Sequence, residues 1–220
     1  MKQIVIFGTG DIAELAWYYF TNDSDHEVVA FTVDAEFRDT DNFCGLPVVD
    51  FETVADSYPP AGHGMFIALA YSGLNQLRRD KFEAALAMGY DLPSYVSSHA
   101  TVLNEGRIGR NCFILEDNTI QPFVTIGDNV TLWSGNHIGH HSKIRDHCFL
   151  ASHIVVSGGV TIEEMCFVGV NVTLRDHITI GSQSVLGAGA LILGDVDPKG
   201  VYMGPATERS RVPSTRLRGI

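Results

Sequence analysis

Between Val102 and Ile192 every sixth residue is a branched aliphatic: Val102, Ile108, Ile114, Ile120, Ile126, Leu132, Ile138, Ile144, Leu150, Val156, Ile162, Val168, Leu174, Ile180, Leu186 and Ile192. An amphipathic helix spaces its apolar residues three and four apart, and a half-buried strand alternates. Neither produces a period of six. A chain that turns a corner every six residues does, because each flat face offers one inward slot for a large apolar side chain. Two positions before the aliphatic stands a mostly small residue (Ala100, Gly106, Cys112, Asn118, later Cys148, Cys166, Ser184, Ala190), suited to a crowded corner. Hexapeptide repetition marks a parallel β-helix. Three faces give coils of about 18 residues, so the block holds about five coils stacked ~4.8 Å apart.

The chain divides into residues 1–97, a β-helix over 98–194, and a tail over 195–220. In the first segment Ile4-Val5-Ile6-Phe7 reads as a strand, Val28–Val33 as a second and Met65–Ala70 as a third. Helices are predicted from Asp11 through Phe20 and from Leu74 to Met88. Strands alternating with helices specify a small parallel α/β domain of Rossmann-like type. Gly8-Thr9-Gly10-Asp11-Ile12-Ala13 matches G-x-G-x-x-A between strand and helix. Gly8, Thr9 and Gly10 would let the backbone approach a phosphate at a helix N-terminus. Asp34, closing the second strand, is placed to accept ribose hydroxyls. Some 97 residues supply about one βαβαβ half, which suits a mononucleotide or nucleotide sugar better than a dinucleotide.

Net charge is −11 at pH 7, which argues against a general nucleic-acid or anionic-membrane surface. No apolar run approaches the eighteen residues of a membrane span. The first residues read as a strand without a signal-peptide cleavage region, so the expected location is the cytoplasm. Cys112, Cys148 and Cys166 share the small-residue slot, and buried free thiols are expected. The tail is locally basic, with Arg209, Arg211, Arg216 and Arg218 punctuated by Gly200, Gly204, Pro205 and Pro213. It offers a positive rim for a phosphorylated cofactor. Six of the nine histidines (His137, His140, His141, His147, His153, His177) fall inside the β-helix. An imidazole at a corner is suited to acid–base work near neutral pH.

Taken together, these motifs resemble the left-handed β-helix acyltransferases. Over nearly the whole chain they resemble the nucleotide-sugar acetyltransferases related to sialic acid O-acetyltransferases. Ile138-Gly139-His140 stands where that family carries its catalytic histidine. Val156-Ser157-Gly158-Gly159-Val160, Cys166–Asn171, Gly187-Ala188-Gly189 and Gly204-Pro205-Ala206 are also similar to its runs. The resemblance implies acetyl transfer from acetyl-CoA to a nucleotide-linked sugar, most readily the amine of an aminodeoxy sugar, in a homotrimer without metal. His140 would be the general base. Backbone amides at Gly158, Gly169, Gly187 and Ala188, with Arg209, would hold the cofactor. The family follows its histidine with a carboxylate, whereas this chain has His141; Asp146 and Glu163 are candidate substitutes. Phe149 occupies a place where the family often has a further histidine. Two other readings stand beside this one. His141 and His177, two coils apart on one corner, are similar to two ligands of γ-class carbonic anhydrases, but Ser182 stands in the third ligand's place. A non-catalytic nucleotide-sugar-binding protein is the other.

Overall fold

The computed structural model describes residues 2–209, 211 and 214–216; Pro213 and Arg218 lie outside them. The chain opens with β1 (Lys2–Phe7), α1 (Asp11–Asn22), β2 (His26–Val33), β3 (Asn42–Phe43), β4 (Leu46–Asp50), α2 (Val54–Ser57), β5 (His63–Ile67) and α3 (Gln76–Ala87). Sheet order is β3-β4-β2-β1-β5. Four of these strands are parallel, and β3 folds back antiparallel on β4. The pair β3–β4 adds to the three strands that the apolar runs predict. Its signal is weak because the run Leu46-Pro47-Val48-Val49 is short and carries a proline. Pro47 precedes the pairing with β2 and stands opposite Asn42 of β3, while the Val48 N–H makes the bond to the Asp41 carbonyl. Ala13, Ala16 and Phe20 of α1 cover one side of the sheet, and Phe82 and Ala85 of α3 cover the other.

From Tyr95 to Tyr202 the chain climbs a left-handed parallel β-helix of two-residue strands in three ladders. The first face runs from Tyr95–Val96 to Val201–Tyr202, the second from Thr101–Val102 to Leu191–Ile192, and the third from Thr125–Ile126 to Thr179–Ile180. The periodic aliphatics pair one coil apart, as in Ile126 with Ile144, Leu132 with Leu150 and Ile138 with Val156. The small-residue column also points inward. Cys112, Cys148 and Cys166 are buried in the same core, and every cysteine is a free thiol. The ladders extend past the predicted 98–194 at both ends. Val96 pairs with Ile114, one full coil on. At the other end Ile180 bridges Val196 and Leu186 pairs with Tyr202, so the last coil is two residues short and the sequence loses register before the structure does.

Each corner carries one residue in the left-handed backbone region, and from Asn111 to Gln183 these recur every six residues: Asn111, Asp117, Phe123, Asn129, Gly135, His141, His147, His153, Gly159, Met165, Asn171, His177 and Gln183. Asn, Asp and His tolerate that conformation better than most residues. Four of the six clustered histidines therefore stand where the corner backbone favours their type.

The outer side of the first face is covered by the α/β domain. Tyr95, Phe113, Phe149 and Phe167 recur at coil spacing in this ladder. Phe20 meets Tyr95 with ring centroids 5.6 Å apart, and Phe66 meets Phe113 at 5.5 Å. Asp23, capping α1, accepts hydrogen bonds from the Tyr95 hydroxyl (2.6 Å) and the Ser98 N–H (2.9 Å). Hydrogen bonds from Ser98 and Tyr95 hold the Asp23 carboxyl down at about 2. Its stabilisation is present above the ordinary value of 3.8 and is lost as pH falls through about 2, because the unfolded chain takes up the proton first. Asp23→Ala is expected to cost about 1–2 kcal/mol at neutral pH. Denaturant melts of wild type and variant should converge as pH falls below 4; a gap that stays constant would refute the linkage.

Candidate active site

Gly8 ends β1 with φ +120°, and a Cβ on it would lie 2.9 Å from the Ala68 carbonyl oxygen, so only glycine allows β1 and β5 to approach there. Gly10 precedes α1 in extended backbone, with no side chain capping the helix. These residues, together with Ala68–Ser72 beyond β5, form one wall of a cleft of about 870 Å³. The opposite wall is the corner between the first and second β-helix faces: Trp133, Ala151, Ser152, Gly169, Val170 and Ala188, flanked by Phe149 and Phe167. Trp133 closes one end, and the smaller residues on successive coils above it leave the space open. Among the described residues Asp11 is the only charged one lining the cleft. An anionic group placed there would be met by backbone amides and the positive end of α1.

The cleft lies over β1 and β5, on the side of β1 away from β2. That is the switch point of the sheet, where open α/β folds take ligands. Asp34, at the end of β2, lies on the other side. Its carboxylate pairs with Lys81, whose ammonium sits 5.3 Å from the Phe7 ring centroid and 5.1 Å from that of Phe51. Of the residues expected at the site, the cleft gathers Gly8, Thr9, Gly10, Gly169 and Ala188. Asp34, Gly158, Gly187, Arg209, His140 and His141 are not among its lining residues. Arg209, Arg211 and Arg216 are exposed.

His140 and His141 occupy the next corner, between the second and third faces. Their Nδ1 atoms are 3.1 Å apart. The His140 N–H donates to Gln121 Oε1 at 2.8 Å, and the His141 ring lies over Phe123 at 4.7 Å. A Cβ on Gly158 would come within 2.6 Å of the His140 ring, so this glycine makes room for the imidazole on the coil below. The side chain that the His140 ring meets is thus that of its neighbour, His141. Asp146 accepts instead from the Asp128 N–H, and Glu163 lies 4.0 Å from Arg145. Both histidines are exposed. The donor along this Nδ1–Nδ1 contact is whichever ring carries its proton there. If His140 donates along it, the other ring nitrogen, Nε2, keeps a free lone pair. Among the described residues no three His, Cys, Asp or Glu side chains converge as a metal site.

The sequence pattern did not reveal the aromatic wall. Tyr71 stands 4.9 Å from Phe149 and 4.7 Å from Phe167 by ring centroids. The available signal was the coil-spaced aromatic column Tyr95, Phe113, Phe149, Phe167, where the other two faces mostly present threonine.

A family profile described as bacterial transferase hexapeptide (six repeats) matches residues 106–140, and one described as hexapeptide repeat of succinyl-transferase matches 159–193. No curated protein matches. Among solved structures, the acetyltransferase domain of PglB from Neisseria gonorrhoeae is 24% identical, covering 91% of this chain and 95% of its own, at a TM-score of 0.78. PerB from Caulobacter crescentus, solved with CoA and GDP-perosamine, is 23% identical, covering 91% and 93%, at 0.79. WeeI from Acinetobacter baumannii is 18% identical, covering 93% and 97%, at 0.79. The likeness extends over both the α/β domain and the β-helix and establishes the shared fold.

Proposed function

We propose that this protein is an acetyl-CoA-dependent N-acetyltransferase acting on a nucleotide-linked amino sugar, with His140 as general base. The observation that carries the reading is the pairing of a glycine-loop cleft at the sheet switch point with the His140–His141 pair on the adjoining corner. The same two-part fold is found in PerB, which was solved with CoA and GDP-perosamine. The nucleotide lies against the Gly8–Ile12 loop, and the sugar extends towards the β-helix. The amine attacks the thioester carbonyl, a C–N bond forms, and the C–S bond breaks. His140 Nε2 takes the amine proton while its Nδ1–H donates to His141, and the imidazolium then passes that proton to the departing thiolate. Backbone amides of the glycine-bearing corners hold the pantetheine, and the basic tail holds its phosphates. Both co-substrates place the reaction in the cytoplasm. A mass-spectrometric transfer assay over UDP-, dTDP- and GDP-linked amino sugars tests this; no acetylated product from any of them would sink the reading.

Within one chain the cleft and His140 lie on different corners, about 15–20 Å apart by strand geometry. A neighbouring copy supplies the missing half. The second face is the surface for that contact, because its outward column Thr101, Thr119, His137, Val155, Thr173, Leu191 carries no Lys, Arg, Asp or Glu and leaves Leu191 63% exposed. The third face instead shows Lys143, with Arg145 and Glu163 beside it. Three copies packed by their second faces bring His140 of one to the cleft of the next. Val155→Asp with Leu191→Asp is expected to turn a trimer into monomers by light scattering and to abolish transfer. An active monomer would contradict the shared site.

A Cβ added to Gly10 would meet nothing within 4 Å. Gly10→Val should therefore leave thermal stability near wild type, raise KM for the nucleotide sugar, and leave KM for acetyl-CoA unchanged. A rise in the acetyl-CoA KM instead would reverse the assignment of the two substrates.

A further inference from the structure

Three unusual features meet behind the aromatic wall of the cleft. Gly73, Leu74 and Asn75 are consecutive left-handed residues, with φ of +60°, +53° and +65°. Asparagine tolerates this conformation, but for leucine it persists only where the surroundings enforce it. Asn75 is fully buried, and its amide donates to the Cys166 carbonyl at 3.3 Å. Arg78, one turn into α3, is 2% exposed. Its guanidinium donates to Asn75 Oδ1 (3.0 Å), Thr131 Oγ1 (2.5 Å) and the His147 and Cys148 carbonyls (3.2 Å each). None of these partners is a carboxylate. Burial pulls its pKa down to about 10, so the group stays charged at neutral pH.

A buried cation without a counter-ion is a poor stabilising device. Its placement accounts for it better. The guanidinium carbon lies 5.7 Å from the Phe149 ring centroid. Tyr71, at the other end of the same loop, packs on Phe149 and Phe167 and lines the cleft. The loop is thus fixed at both ends to the first face of the β-helix. We propose that Arg78 and Asn75 are a positioning pair that sets the Ala68–Asn75 loop and so holds Tyr71 as a wall of the substrate cleft. Neither residue touches substrate; both act through Tyr71. The inference rests on the reading of this cleft as the nucleotide-sugar site.

The test is calorimetric titration of the full-length protein with UDP, dTDP and GDP, and separately with acetyl-CoA. Asn75→Gly removes the buried amide but keeps a residue at ease in left-handed backbone, so the fold survives. It is expected to weaken binding of the preferred nucleoside diphosphate about tenfold and leave acetyl-CoA binding unchanged. Tyr71→Ala should weaken the same ligand by a similar factor. The double variant should be little worse than either single one, since both changes remove one effect. Unchanged nucleotide binding in Asn75→Gly, or a full tenfold penalty repeated in the Tyr71→Ala background, overturns the positioning role. Wild type that binds none of the three diphosphates overturns the nucleotide-sugar reading itself, and this inference with it.

Discussion

His140→Ala is expected to lower kcat by about 10²–10⁴-fold while leaving nucleotide-sugar binding nearly unchanged. The imidazole accepts a proton only as the amine attacks, so its removal raises the barrier without loosening the ground state. Gly158 allows the His140 ring to lie across the neighbouring coil, and Gln121 fixes its backbone. His141→Ala should cost less, because it removes only the group that fixes the tautomer of its neighbour. His141→Glu supplies a charged acceptor for the His140 Nδ1–H. That variant should keep turnover largely intact, since the tautomer of His140 is still fixed. Near-wild-type turnover in His140→Ala would remove the proposed base. His141, or positioning of amine and thioester alone, would then have to carry the reaction.

Ile144→Asp is expected to abolish the soluble folded protein. Ile144 is 1% exposed and stacks between Ile126 and Ile162 in the third ladder. An aspartate there has no partner in an interior of aliphatic side chains and cysteine thiols, and a marginally stable domain does not tolerate that penalty. Arg145, the next residue, points outward with a side chain 53% exposed. Arg145→Ala should leave the melting temperature nearly unchanged. Equal melting temperatures for the two variants would contradict the inward register.

The β-helix was legible because its core is one-dimensional. Each coil buries the same kind of side chain at the same place, so inward residues recur at a fixed interval. The register breaks in the sequence only where the last coil drops two residues. The glycine loop was legible because a long-range contact leaves a local mark: the Ala68 carbonyl lies too close to Gly8 for any side chain. The histidine cluster was misleading for a related reason. His141, His147, His153 and His177 occupy left-handed corner positions on three different corners. Their density reflects what a turn tolerates, and the pair that meets ring to ring is His140 with His141.

The sequence alone determined the coil period, the inward column, the α/β character of the first domain and the chemistry available at His140. Only tertiary structure decided which of these meet. Docking of the α/β domain on the first face turned Phe149 and Phe167 from outward strand residues into a cleft wall and placed Tyr71 against them. Strand order placed the cleft between β1 and β5, which left Asp34 on the far side, paired with Lys81. Neither outcome is written in a local pattern. Both depend on contacts between segments far apart in the chain, where burial of apolar surface and pairing of charges select one arrangement among many that the local sequence allows.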